Sequence, residues 1–219
     1  MKKVFIASTD EVIKGIIREC VLAIYPRQQI IDVCDDISLM YHLKCSDDDV
    51  IFFDKFFLGY VLKFKLINLK IINSNLRIIF CELGECSLHF GFRVWDFGAD
   101  GYICNISDEE NFKKKLKTVF TGQKCFPAEV MDGLKKPEYL NDKRGFSDVT
   151  DVEYQIGMYL GQGKTPKEIG TILNIARSTV SHHYYWLKRK IGFKTMDDIT
   201  TLNKQMEHYH IRSWNGCKN

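Results

Sequence analysis

"GKTPKEIGTILNIARSTVSHHYYWLKRKIG", residues 163–192, holds two helical periods joined by a short break. Thr165, Pro166 and Glu168 form a complete helix start. Thr165 can cap, Pro166 suits the first helical position, and Glu168 can reach back as the partner of a capping box. Ile169, Ile172 and Leu173 supply an apolar stripe, which predicts a scaffold helix over about 165–173. "NIAR" interrupts the pattern, and a second helix is predicted over about 178–190. On it Val180, Tyr184, Leu187 and Ile191 follow one another at four, three and four residues, so they share a core face. Ser178, His182, Tyr185 and Arg189 point the opposite way, with Ser181 on the flank. The adjacent His182 and His183 therefore diverge. They do not share a metal ion, and no serine, cysteine or carboxylate stands at a spacing that makes either a catalytic base. His183 reads as a hydrogen-bonded packing residue and His182 as an outward one. A short helix with polar outer residues, behind a capped helix and a tight turn, is the arrangement that enters a major groove.

Charge agrees with that reading. The chain has a formal net charge of +3, and residues 1–125 are balanced at 17 basic and 17 acidic residues. Residues 164–194 hold seven basic residues (Lys164, Lys167, Arg177, Lys188, Arg189, Lys190, Lys194) against the single acid Glu168. That local excess is the footprint of a surface for a polyanion such as double-stranded DNA, with a merely solvated basic face as the bland alternative. The most apolar stretch, "FFLGYVLKFKLINLKII" (56–72), is interrupted by Lys63, Lys65 and Lys70 and is not expected to span a membrane. Cys20, Cys34, Cys45, Cys81, Cys86, Cys104, Cys125 and Cys217 form no CxxC pair, and most of them are expected to be small buried thiols in a reducing, cytoplasmic compartment.

Working back toward the start, the period changes. "KVFIA" (3–7), "QIIDVC" (29–34), "DVIFFD" (49–54), "RIIFCE" (77–82) and "GYICN" (101–105) read as buried strands, with amphipathic stretches between them. Five strands alternating with five helices predict an α/β doubly wound five-stranded parallel sheet over residues 1–124, flavodoxin-like in order. Reactive groups in such a sheet sit at the carboxyl ends of the strands, where Asp54 lies. Residues 125–148 hold two of the four prolines and read as a linker. A small all-α helix-turn-helix domain of four helices is expected over 149–212.

Residues 149–193 resemble, without a gap, the DNA-binding domain of the LuxR/FixJ (NarL-type) family. The resemblance is carried by Val149-Thr150, Glu153, Gly163, Lys167-Glu168-Ile169, Leu173, Ile175, Thr179-Val180, His183 and Lys190-Ile191-Gly192. The chain departs from the family at Ala176, where a serine is usual, and at Ser181, where a lysine or arginine is frequent. The resemblance implies phosphate contacts from Lys167, Arg177, Ser178, Thr179, Lys188 and Arg189. It implies base contacts from Ser181, His182 and Tyr185. A last helix, Met196 to Tyr209, carries Ile199, Leu202 and Met206 on one side; in this family the corresponding helix pairs two DNA-binding domains.

Residues 3–124 resemble a response-regulator receiver domain, notably in "RVWDFGADGYICN" and "VFTGQKCFPAEV". Asp54 matches the phosphoacceptor and Tyr102 the aromatic that couples receivers to their partners. Phosphorylation also requires an acidic pair after the first strand to hold Mg²⁺, a hydroxyl after the fourth and a lysine after the fifth. Those positions are Ser8-Thr9, Glu82 and Asn105, and the nearest acidic pair is displaced to Asp10-Glu11. The expectation is a transcription regulator with a degenerate receiver, no enzymatic activity, no cofactor and no Mg²⁺ site. It is expected to work as a homodimer or as a heterodimer with a related regulator. A conventional regulator phosphorylated on Asp54, and an auxiliary adaptor acting only as a heterodimer, are the competing readings.

Overall fold

The computed structural model describes residues 3–43, 49–54, 57–58, 62–86, 88–135, 149–161 and 163–191. They fall into two compact units, Met1–Lys136 and Pro137–Asn219.

The first unit runs β1 (Lys3–Ala7), α1 (Glu11–Ile24), β2 (Gln29–Val33), α2 (Asp36–Leu43), β3 (Val50–Asp54), α3 (Leu62–Ile72), β4 (Arg77–Cys81), α4 (Leu88–Asp96), β5 (Gly101–Ile103), α5 (Glu109–Phe120) and α6 (Ala128–Leu134). The strands are all parallel, in the order β2-β1-β3-β4-β5. The near-continuous apolar runs of β1, β3 and β4 follow from burial on both faces. Val4, Ile6, Phe52, Ile79 and Ile103 pack with Ile13 and Ile17 of α1 and with Phe112 and Leu116 of α5. On other residues of the strands an aromatic chain crosses the sheet. Phe53 lies 5.6 Å from Phe80, Phe80 lies 5.4 Å from Phe90, and Phe90 lies 5.3 Å from Tyr102, centroid to centroid.

Three strands end earlier than the sequence suggests, β2 by one residue, at Val33. β4 stops at Cys81 and β5 at Ile103, so Glu82 and Asn105 stand just beyond the sheet. Asn105 is left-handed, with φ of 54°, a conformation that ends a strand and that asparagine tolerates.

The linker expected from residue 125 begins later than that. Cys125 bridges Gly101, receives the Tyr102 N–H at 2.8 Å and gives its own N–H to Asp100 at 3.0 Å. α6 then packs on α4. A Cβ on Gly91 of α4 would lie 2.4 Å from Val130 Cγ2, so the bare backbone there allows the two helices their close approach. Residues 125–134 therefore belong to the first unit.

The second unit holds α7 (Asp151–Gly161), α8 (Pro166–Leu173) and α9 (Arg177–Ile191). α7 opens on a reciprocal cap: Thr150 N–H donates to Glu153 Oε2 at 2.8 Å, and Glu153 N–H donates to Thr150 Oγ1 at 3.2 Å. α8 repeats the device with Thr165 and Glu168, Pro166 standing at the first helical position. Ile156, Ile169 and Val180, one from each helix, are fully buried at the centre, with Leu160, Leu173 and Tyr184 against them. The fold is thus a five-stranded receiver-like α/β sheet followed by a small helix-turn-helix domain. The helix expected at Met196–Tyr209, with Ile199, Leu202 and Met206, lies outside the described residues.

Candidate nucleic-acid interface

The turn before α9 is built tightly. α8 ends on Asn174 in the left-handed conformation, and Ile175 N–H folds back to the Gly170 carbonyl at 2.9 Å. A Cβ on Gly170 would sit 2.8 Å from the Ile175 carbonyl oxygen, so only glycine lets the turn close on the helix. α9 starts at Arg177, one residue before the predicted start, with Val180 N–H bonded to the Ala176 carbonyl at 3.1 Å.

The two faces of α9 divide as its period predicts. Val180 and Leu187 are buried and Tyr184 is half-buried. Ser178, Ser181, His182, Tyr185 and Arg189 are exposed together, while Thr179 and His183 are half-buried. Lys167 and Arg177 line one open hollow of about 480 Å³ between α8 and the turn. Lys188 Nζ stands 4.8 Å from the Tyr184 ring centroid. Lys190 turns inward, its ammonium reaching both Glu153 oxygens at 3.0 and 2.7 Å. Burial pushes the Glu153 carboxyl up, but Lys190 and the Thr150 bonds outweigh it and hold the group below the usual range.

One residue of this face is not among the predicted contacts. Trp186 is 41 % exposed, and its indole N–H donates to His182 Nε2 at 3.0 Å. Arg189 Nη1 donates to the Tyr185 hydroxyl at 2.9 Å, and its guanidinium lies 5.7 and 5.6 Å from the Tyr185 and Trp186 ring centroids. The i, i+4 spacing of His182 with Trp186 and of Tyr185 with Arg189 was the available signal.

At the carboxyl edge of the first unit, Asp54 is 2 % exposed. Its Oδ2 accepts the Ser8 hydroxyl at 2.6 Å and the Thr9 N–H at 2.8 Å, and its Oδ1 accepts the Phe57 N–H at 2.8 Å. The displaced acid Asp10 caps α1, accepting from Val12 and Ile13 N–H at 2.9 and 3.4 Å. Tyr102 is buried, and its hydroxyl donates to the Glu82 carboxylate. Burial first and the Glu82 charge second push that phenol well above its ordinary pKa, so it stays protonated as a donor. Asn105 is exposed, and its carbonyl Oδ1 accepts the Ser107 hydroxyl at 3.0 Å. Among the described residues no three His, Cys, Asp or Glu side chains are grouped so as to hold a metal ion, and no helix is long and apolar enough to cross a membrane.

Residues 148–202 match the model of the bacterial regulatory proteins of the luxR family. The nitrate/nitrite response regulator protein NarP of Escherichia coli K12 is 32 % identical over 112 residues, which are 51 % of this chain and 52 % of NarP. The Fimbriae Z protein of the same strain is 24 % identical over 140 residues, covering 64 % of this chain and 66 % of that protein. The chain thus spans between half and two thirds of these curated relatives. The structure of RcsB from Salmonella enterica serovar Typhimurium bound to promoter P1flhDC aligns with a TM-score of 0.62 at 17 % identity, covering 93 % of this chain and 98 % of RcsB. At that identity the likeness is one of fold. Residues 148–202 are thus similar to the luxR-family regulatory proteins, and they follow a domain whose fold is receiver-like.

Proposed function

We propose that this protein is a sequence-specific DNA-binding transcription regulator whose binding is independent of phosphorylation. The observation that carries the reading is the division of α9, with Val180 and Leu187 buried and Ser178, Ser181, His182, Tyr185 and Arg189 exposed together. Lys167, Arg177, Ser178, Thr179, Lys188 and Arg189 hold phosphates, and Ser181, His182 and Tyr185 meet base edges. The receiver-like domain supplies dimerisation or a regulatory contact. Phosphorylation independence is supported by the neighbours of Asp54: hydroxyl and amide donors from Ser8, Thr9 and Phe57 hold a carboxylate where a receiver assembles acids around a cation. The protein acts in the cytoplasm as a dimer, paired through Ile199, Leu202 and Met206, on half-sites about one helical turn apart.

Selection of bound duplexes from a random library tests the DNA reading. A single enriched motif is expected. Lys188→Ala should weaken all sequences alike and reduce the salt slope by roughly one. Enrichment of no sequence at low salt contradicts the proposal.

A further inference from the structure

Trp186 and Arg189 fix where the polar hydrogens of the outer α9 face stand. An indole N–H is only a donor. With Trp186 Nε1–H donating to His182 Nε2 at 3.0 Å, that nitrogen carries the lone pair. The proton of the neutral ring therefore sits on Nδ1. Tyr185 is set in the same way. Arg189 donates to its hydroxyl oxygen at 2.9 Å, and since guanidinium accepts nothing, the phenolic proton points elsewhere. On the flank, the Ser181 hydroxyl gives its proton to the Arg177 carbonyl at 3.1 Å. The exposed face thus offers two donors three residues apart. The backbone positions of the two residues are about 4.5 Å apart along the helix axis, of the order of the ~3.4 Å rise between base pairs.

We infer that Trp186 is a positioning residue that holds His182 as an Nδ1–H donor, and that His182 and Tyr185 select guanine edges on neighbouring base pairs of a DNA half-site. The inference rests on the proposed reading of α9 as the DNA-reading helix. Donors discriminate among bases by what the major groove shows them. Guanine presents two acceptors, N7 and O6, and no donor. Adenine pairs its N7 with a donor at N6, thymine offers one acceptor beside a methyl group, and cytosine offers a donor that repels. A face of two fixed donors therefore ranks guanine first and cytosine last. Without the indole N–H, the imidazole is free to place its proton on Nε2 and turn a lone pair toward the groove, and the ranking at that position flattens.

The full-length protein and Trp186→Phe separate the alternatives. Phenylalanine keeps a ring beneath Arg189 and removes only the N–H. Long-range proton–nitrogen NMR of the imidazoles should show His182 protonated on Nδ1 in the wild type. In Trp186→Phe it should shift toward Nε2–H. In a random-library selection the wild type should favour guanine at two adjacent positions. The variant should lose about tenfold of the guanine-over-adenine preference at one of them and keep the other. An Nε2–H tautomer in the wild type, or an unchanged base preference in Trp186→Phe, overturns the inference. The expected tautomer in a protein that enriches no sequence refutes the DNA reading and the guanine assignment together, and leaves the histidine geometry standing.

Discussion

Glu153 and Lys190 come from the first and last described helices of the small domain, and their pairing explains why one lysine of the basic run "KRK" is withdrawn from the outer surface. Glu153 is 4 % exposed, caps α7 and receives Lys190. Removing the ammonium leaves a buried carboxylate with Thr150 as its remaining donor among the described residues. Lys190→Met should therefore cost about 2 kcal/mol of folding stability at neutral pH, on the scale of a hydrogen bond to a charged group. The pH dependence has a defined sign. The folded Glu153 pKa is depressed, so its stabilisation is present above the unfolded glutamate pKa and fades as pH falls through the folded one. Chemical denaturation of the wild type and Lys190→Met at neutral and acidic pH should show the difference between them shrinking in acid. A pH-independent difference contradicts this account. Residue roles set by partners distant in sequence were not legible beforehand. Asp10 read only as an acid displaced from the position a metal ligand would take, and its role as the cap of α1 was not read from the sequence.

The elements themselves were largely readable, because each kept one period throughout. β1, β3 and β4 announced themselves as apolar runs, and α8 by the Thr165–Pro166–Glu168 start. α6 was missed for a physical reason. Its seven residues are too few to show a period, and it is held by packing on α4 rather than by its own propensity. That contact gives a test. Gly91→Ala brings a methyl group to 2.4 Å from Val130 Cγ2, so the helices must part. A loss of about 1–3 kcal/mol is expected, as for overpacking elsewhere. Val130→Ala in the same chain should recover most of it, because the clashing atom is gone. Thermal melts of the single and double variants measure the coupling, and additive losses would show that α6 does not pack there.

At the scale of the molecule, the proposal sets a receiver-like fold against strand ends that carry Ser8, Thr9, Glu82 and Asn105. The fold follows from burial patterns that any apolar side chain satisfies, which is why it was legible at a glance. The proposed degenerate site would depend instead on single residues: Ser8 and Thr9 donate to Asp54, and Glu82 and Asn105 stand where the resemblance to receivers implies a hydroxyl and a lysine. A phosphoryl group on Asp54 Oδ2 would displace the Ser8 and Thr9 donors at 2.6 and 2.8 Å, and one on either oxygen would lie on the same strand edge as the Glu82 carboxylate, where like charge raises its cost. The most direct measurement is intact mass and DNA affinity of the wild type and Asp54→Ala, each incubated with acetyl phosphate and Mg²⁺. No phosphoryl mass gain is expected, with one affinity shared by both proteins with and without treatment. A gain of one phosphoryl group that vanishes in Asp54→Ala, together with an altered DNA affinity, would contradict the account and make the protein a phosphorylation switch.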